Sequence, residues 1–170
     1  MKAGLGPVKP TIPANATNGN HAQGRIPVSA LALGLAGLVP FLAGALALWA
    51  ALPLLAPALG HQLVVSYGAI VLAFLGGIRW GTAIAACDAR RQAFEFPAGV
   101  LGSLAGLAAI FLPPIPALTL LITGFLMQGL WDVTSVESGR LPLWFGKLRM
   151  LLTAGAVIAL IAALVAVILT

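Results

Sequence analysis

The sequence predicts an all-α integral membrane protein, a bundle of five transmembrane helices with its N-terminus inside and its C-terminus outside. Three observations carry that reading. Of 170 residues, 61% are hydrophobic and 8% charged, whereas a soluble domain carries about 25% charged residues. The apolar residues fall into five continuous runs, each long enough to cross a hydrocarbon core of about 30 Å as a helix and none alternating as a barrel strand would. Eight of the nine Lys and Arg residues lie on one side of the membrane once these runs are threaded, which by the positive-inside rule fixes the orientation.

Residues 1–27 are rich in Pro, Gly, Asn and Ala and lack apolar periodicity, so they are expected to form a disordered tail. The sequon at Asn15 falls on the inner side and is not expected to be glycosylated. The five-helix domain occupies residues 28–170. Span one, residues 29–51, contains Pro40, which should kink it; its apolar stretch is too long for a signal-peptide core. "PLLAPALGH" forms a short turn before span two, residues 63–86. "CDARRQAFE" reads as a charged loop before span three, residues 96–112. "PPIP" interrupts the helix, and span four covers residues 117–133. The polar connection "TSVESGRLPLWFGK" leads to span five, residues 148–170.

Lys2, Lys9 and Arg25 precede span one, Arg90 and Arg91 separate spans two and three, and Arg140, Lys147 and Arg149 separate spans four and five. The sequence pI near 10.4 is thereby explained by anionic lipid heads at the inner leaflet, worth about 1 kcal/mol per basic residue near the surface. Nucleic acid is not an expected partner; the lipid bilayer is.

The ninth basic residue, Arg79, lies inside span two, and two readings stand side by side. Its long stem can snorkel to the inner headgroups. Alternatively it pairs with Asp132 of span four. Arg79 lies 16 residues past Leu63 and Asp132 lies 16 past Pro116, so both reach a depth of roughly 24 Å along parallel helices. Gln128, one turn before Asp132, would complete a polar cluster of Arg79, Gln128 and Asp132. On the same span Ala69, Ala73, Gly77 and Gly81 recur every four residues, a stripe suited to close helix packing. Span three repeats the device with Gly99/Ser103 and Gly102/Gly106. Trp80 and Trp131 read as interfacial aromatics.

"YGAIVLAFLGGIRWG", Tyr67 to Gly81, resembles the signature of a family of bacterial and mitochondrial membrane proteins, the transmembrane protein 69-like family or domain of unknown function 3429. "LGLAGLVPF", Leu33 to Phe41, is similar to its first span, and "LPLWFGKLRMLLT", Leu141 to Thr153, to the segment entering its last. The resemblance implies a multi-pass protein of the bacterial inner membrane, or of the mitochondrial inner membrane, with no established activity. It also implies that Tyr67, Gly76, Gly77, Arg79, Trp80 and Gly81 act as one unit, with Trp144 and Arg149 in the matching final segment. In that family a His can stand where Arg79 is here, which implies a polar or cationic role.

No P-loop, HExxH, GxSxG or dinucleotide motif is present. Cys87 alone makes neither disulfide nor metal site, His21 and His61 have no second ligand nearby, and the four acids, Asp88, Glu95, Asp132 and Glu137, form no midplane pair. Neither catalysis, cofactor nor metal is expected. Three classes stay open. An accessory, assembly or interaction subunit, with a membrane-protein partner or a second copy, fits the small-residue stripes. A small oligomeric transporter or channel would use Arg79, Gln128 and Asp132, and a lipid or quinone-type binder would use Arg79 and Trp80.

Overall fold

Pro40 decides the course of the first span. Its ring has no N–H to offer the Ala36 carbonyl and clashes with it. In the computed structural model, which describes residues 25–49, 56–85, 88–139 and 141–169, that span is therefore two helices, α1 (Val28–Ala36) and α2 (Val39–Trp49). Between them the backbone tightens, Gly37 N–H donating to the Leu33 carbonyl at 2.9 Å and Leu38 N–H to that of Leu35 at 3.0 Å. Four long helices follow: α3 (Pro57–Ile84), α4 (Ala89–Phe111), α5 (Pro114–Glu137) and α6 (Leu143–Leu169). With α1 and α2 taken as one span, five helical segments are long and apolar enough to cross a membrane, and no strand occurs among the described residues. The expected tail through residue 24, with Asn15 and His21, lies outside the described residues, as do Cys87 and Arg140.

Each long helix is longer than its apolar run, because the start and stop signals sit in the polar flanks. Pro57 occupies the first turn of α3, where its missing N–H has no intrahelical partner to lose; "PALGH" is therefore helix, and His61 belongs to α3 and not to an outer loop. From Ala89 on, the expected loop "CDARRQAFE" is likewise helix. Asp88 caps α4, its carboxylate accepting from Arg90 N–H at 3.0 Å, and the helix runs on through Pro97. α5 starts inside "PPIP", at Pro114, since prolines are tolerated in a first turn. Gly139 ends the α5 corner at φ 70°, its N–H bonded to the Val136 carbonyl at 2.9 Å. Alanine there would carry a Cβ into the left-handed region, so Gly139→Ala is expected to cost about 1 kcal/mol, read as a lower thermal midpoint in detergent.

α3 is the centre of the bundle, packed against α2, α4, α5 and α6. The core is apolar through its middle: Phe41, Val64, Leu72, Leu118, Leu121, Phe125 and Leu160 are fully buried. Leu33, Ile70, Phe74, Leu101 and Ile158 face outward, as a lipid-facing surface requires. At the α3–α4 crossing the backbones touch. A Cβ on Gly76 would collide with the Gly99 carbonyl, and one on Gly106 would stand 2.7 Å from the Ala69 carbonyl oxygen. Gly44 and Gly60 serve the α2–α3 crossing in the same way, a Cβ on either lying 2.9 Å from the other's carbonyl oxygen.

The small-residue stripe is thus shifted from its expected row. Ala69 is buried in the α4 contact, but Gly77 and Gly81 have nothing within 4 Å of where a Cβ would stand. The close approach uses the adjacent row, Ala69 and Gly76, because that row faces the Gly99/Gly102/Gly106 edge of α4. Ser103 is exposed.

Candidate functional site

The polar side chains inside the bundle gather at one end, where α3 and α5 finish and α4 and α6 begin. Arg79 is 4% exposed and Asp132 5%, so both are enclosed by protein, and of the two readings of Arg79 its burial favours a partner inside the bundle. Asp132 is not its carboxylate partner. Arg79 Nε donates to Gln128 Oε1 at 2.7 Å, Arg79 Nη1 stands 3.6 Å from Glu95 Oε2, and the guanidinium lies 4.4 Å from the centroid of the Trp131 ring. Asp132 is taken instead by Arg149, whose Nε donates to Oδ2 at 2.7 Å.

The Arg79–Glu95 pairing follows from where α4 starts. Because Asp88 begins that helix seven residues earlier than the apolar run suggests, Glu95 lies two turns inside α4. That helix runs antiparallel to α3, so Glu95 reaches the depth of Arg79. Its other oxygen is 3.9 Å from Arg91 Nε, one helical turn back. Arg91 is partly exposed while Glu95 is buried, so the carboxylate bridges an interior arginine to one nearer the end of the bundle. Gln128 and Asp132, four residues apart on α5, then join two clusters: Arg79–Glu95–Gln128–Trp131 on one side and Asp132–Arg149 on the other. Gly102 makes the room, since a Cβ there would stand 2.6 Å from Gln128 Nε2.

This arrangement joins four helices by charge. An arginine in an apolar interior is tolerated only with partners, and each carboxylate here has a fixed arginine. The chemistry it can perform is therefore holding: it fixes the register of α3, α4, α5 and α6 at one end. Towards the middle of the bundle it gives way to the apolar layer of Phe41, Leu72, Leu118, Leu121 and Phe125. Among the described residues no three His, Cys, Asp or Glu side chains come together as a metal site.

Trp80 is more than an interfacial aromatic. Its indole N–H donates to the Phe96 carbonyl at 3.2 Å, its ring meets Phe96 edge-on at 5.0 Å, and it covers Gly99. Trp131 likewise supports Arg79. Tyr67 packs on Phe41, centroids 5.1 Å apart. Trp144 meets the Phe145 ring at 6.0 Å. The sequence reading missed Glu95 as an interior residue, although Asp88 before an uninterrupted "ARRQAFEF" is a helix-start signal. Thr153, which closes the family-like segment Leu141 to Thr153, is buried on α6 one turn after Arg149, a placement that no charge pattern announced.

Residues 26–165 match a family model described as "Protein of unknown function (DUF3429)". Transmembrane protein 69 of Xenopus tropicalis is 36% identical over 142 residues, which cover 82% of this chain and 54% of that protein. The chain thus spans about half the length of that curated relative. No solved structure matches.

Proposed function

The chain belongs to the DUF3429 family of multi-pass membrane proteins, and from that premise we propose that it is an accessory or interaction subunit, packing in the bilayer against another membrane protein or a second copy of itself. The observation that carries the reading is the row Gly77 and Gly81. Two glycines one turn apart on the central helix lie uncovered, beside a charge-locked end that holds α3 in place. In lipid, where helices associate by close backbone approach, such a row is a seat for another helix. The apolar middle layer speaks against a solute path through the chain. The cross-links made by Arg79 and Trp80 within the bundle speak against a ligand held by those two residues. The basic end is assigned to the cytoplasm, or to the matrix if the membrane is mitochondrial, by the distribution of Lys and Arg.

The test is a pair of substitutions that the isolated chain should not feel. Gly77→Leu/Gly81→Leu places side chains in open space, so the thermal midpoint of the monomer in detergent should stay close to wild type, within about 0.5 kcal/mol per site. A co-purifying protein, or a dimer seen by native mass spectrometry after gentle extraction, should be lost. Retention of the same assembly by the double variant removes the proposed seat. Orientation is checked separately: Arg90→Cys and Leu112→Cys should label from opposite sides of the membrane, and labelling from one side overturns the topology.

A further inference from the structure

The kink before Pro40 has a second effect. α1 leans on α6, Gly34 lying so close to Leu152 that a Cβ would come within 2.8 Å of it, and a cavity of about 390 Å³ remains between α1, α3 and α6. Its size is that of a small-molecule site. Leu33 and Phe74, both exposed, stand at its rim, so it opens sideways towards lipid. Its wall includes Phe41, Tyr67 and Phe125, with Phe41 meeting Tyr67 and Phe125 edge-on at centroid distances of 5.1 and 5.6 Å.

Besides the Tyr67 hydroxyl, two polar groups interrupt this apolar wall, Arg149 and Thr153, four residues apart and therefore on one face of α6. They are 6% and 8% exposed, yet Arg149 Nη2 and Thr153 Oγ1 have no hydrogen-bond partner among the described residues. Buried donors without partners are costly, and a threonine in a helix ordinarily satisfies its hydroxyl on the carbonyl one turn back. Both residues line the cavity that a molecule entering from lipid would occupy. The charge of Arg149 is already matched by Asp132 at 2.7 Å. A second anion would leave uncompensated negative charge in the interior, so the group that fits is a neutral acceptor.

We infer that this cavity binds an uncharged lipophilic molecule that presents a carbonyl oxygen to Arg149 Nη2 and Thr153 Oγ1, its apolar part lying against the aromatic wall and leaving past Leu33 and Phe74. The ring carbonyl of a long-tailed quinone and the ester carbonyl of an acyl lipid share this chemistry. The site is distinct from the Gly77/Gly81 row and stands whether or not that row holds a partner.

The full chain, extracted gently from its own membrane, is washed, and the lipophiles that remain are quantified per mole by mass spectrometry. The thermal midpoint is also followed on adding a decyl-tailed benzoquinone or a monoacylglycerol. Three variants accompany the wild type. Thr153→Val removes one donor at constant shape, Val71→Trp fills the cavity, and Ile158→Trp adds the same bulk on an outward position of α6. Thr153→Val should weaken retention about fivefold, the worth of one neutral hydrogen bond. Val71→Trp should abolish retention, and Ile158→Trp should leave it unchanged. Loss of a quinone in the first two variants identifies the ring as the carbonyl source, and loss of an acyl lipid identifies the ester. Equal retention in all four proteins, or no bound species and no shift with either probe, overturns the assignment. Thr153→Val keeps the test decisive if Val71→Trp fails to fold.

Discussion

Replacing Asp132 with leucine while leaving Arg149 in place is expected to cost about 3–5 kcal/mol, the penalty for stranding a buried charge. The measurement is thermal unfolding of the purified protein in detergent, together with its yield from the membrane. Arg149 is 6% exposed and its Nε bond to Asp132 is its anchoring contact, so loss of that carboxylate leaves its charge without a counter-ion. The companion substitution gives the result its meaning. Asp132→Leu/Arg149→Met removes both charges and retains volume, and should recover most of the lost stability, because a buried pair gives little net stability over an apolar pair of the same size. A single variant as stable as wild type would show that the charged end does not lock α5 to α6. The double variant should also lose the cavity's lipophile, since Arg149 Nη2 goes with the side chain. Stability would then return without binding.

The second large effect is expected at Gly76. Gly76→Val should destabilise the bundle by about 1–3 kcal/mol or more, the range for overpacking a close contact, because the added Cβ would meet the Gly99 carbonyl and not a side chain able to turn aside. Separating α3 from α4 also pulls Glu95 from Arg79, 3.6 Å away, so packing and charge fail together. Gly77→Val, one residue along the same helix, is the control and should be tolerated. The reverse order of the two midpoints would mean that the two helices cross on the expected row and not on the observed one.

The contrast between these neighbouring glycines shows where sequence reasoning stopped. The number of spans, the break at Pro40, the gathering of Lys and Arg at alternate loops and the presence of close-packed glycines were all legible, because each rests on local chemistry: hydropathy over a run, a missing N–H, a missing Cβ. Family membership was legible too, through "FLGGIRWG" and its surroundings. Helix ends were misjudged wherever hydropathy alone was followed. Asp88, Pro57 and Pro114 start helices in polar or proline-rich flanks, and the displacement at Asp88 carried Glu95 from an expected loop into the interior.

Which arginine meets which carboxylate depends on helix rotation and on who stands beside whom, and neither is written in the period of a single helix. Arg79 and Asp132 do reach similar depth, as counting residues implied, but depth is one coordinate of three. The packing of Gly76 on Gly99 turns α3 so that Arg79 meets Glu95 and Gln128, and Asp132 is left to face α6. The unpartnered hydroxyl of Thr153 and the cavity beneath the Pro40 kink belong to the same class of fact. The sequence by itself determined that five segments are long and apolar enough to cross a membrane and which residues would be costly inside it. Only the tertiary structure decided how those costs were met, because a buried charge or hydroxyl is satisfied by atoms brought near it in space, and these come from helices far apart along the chain.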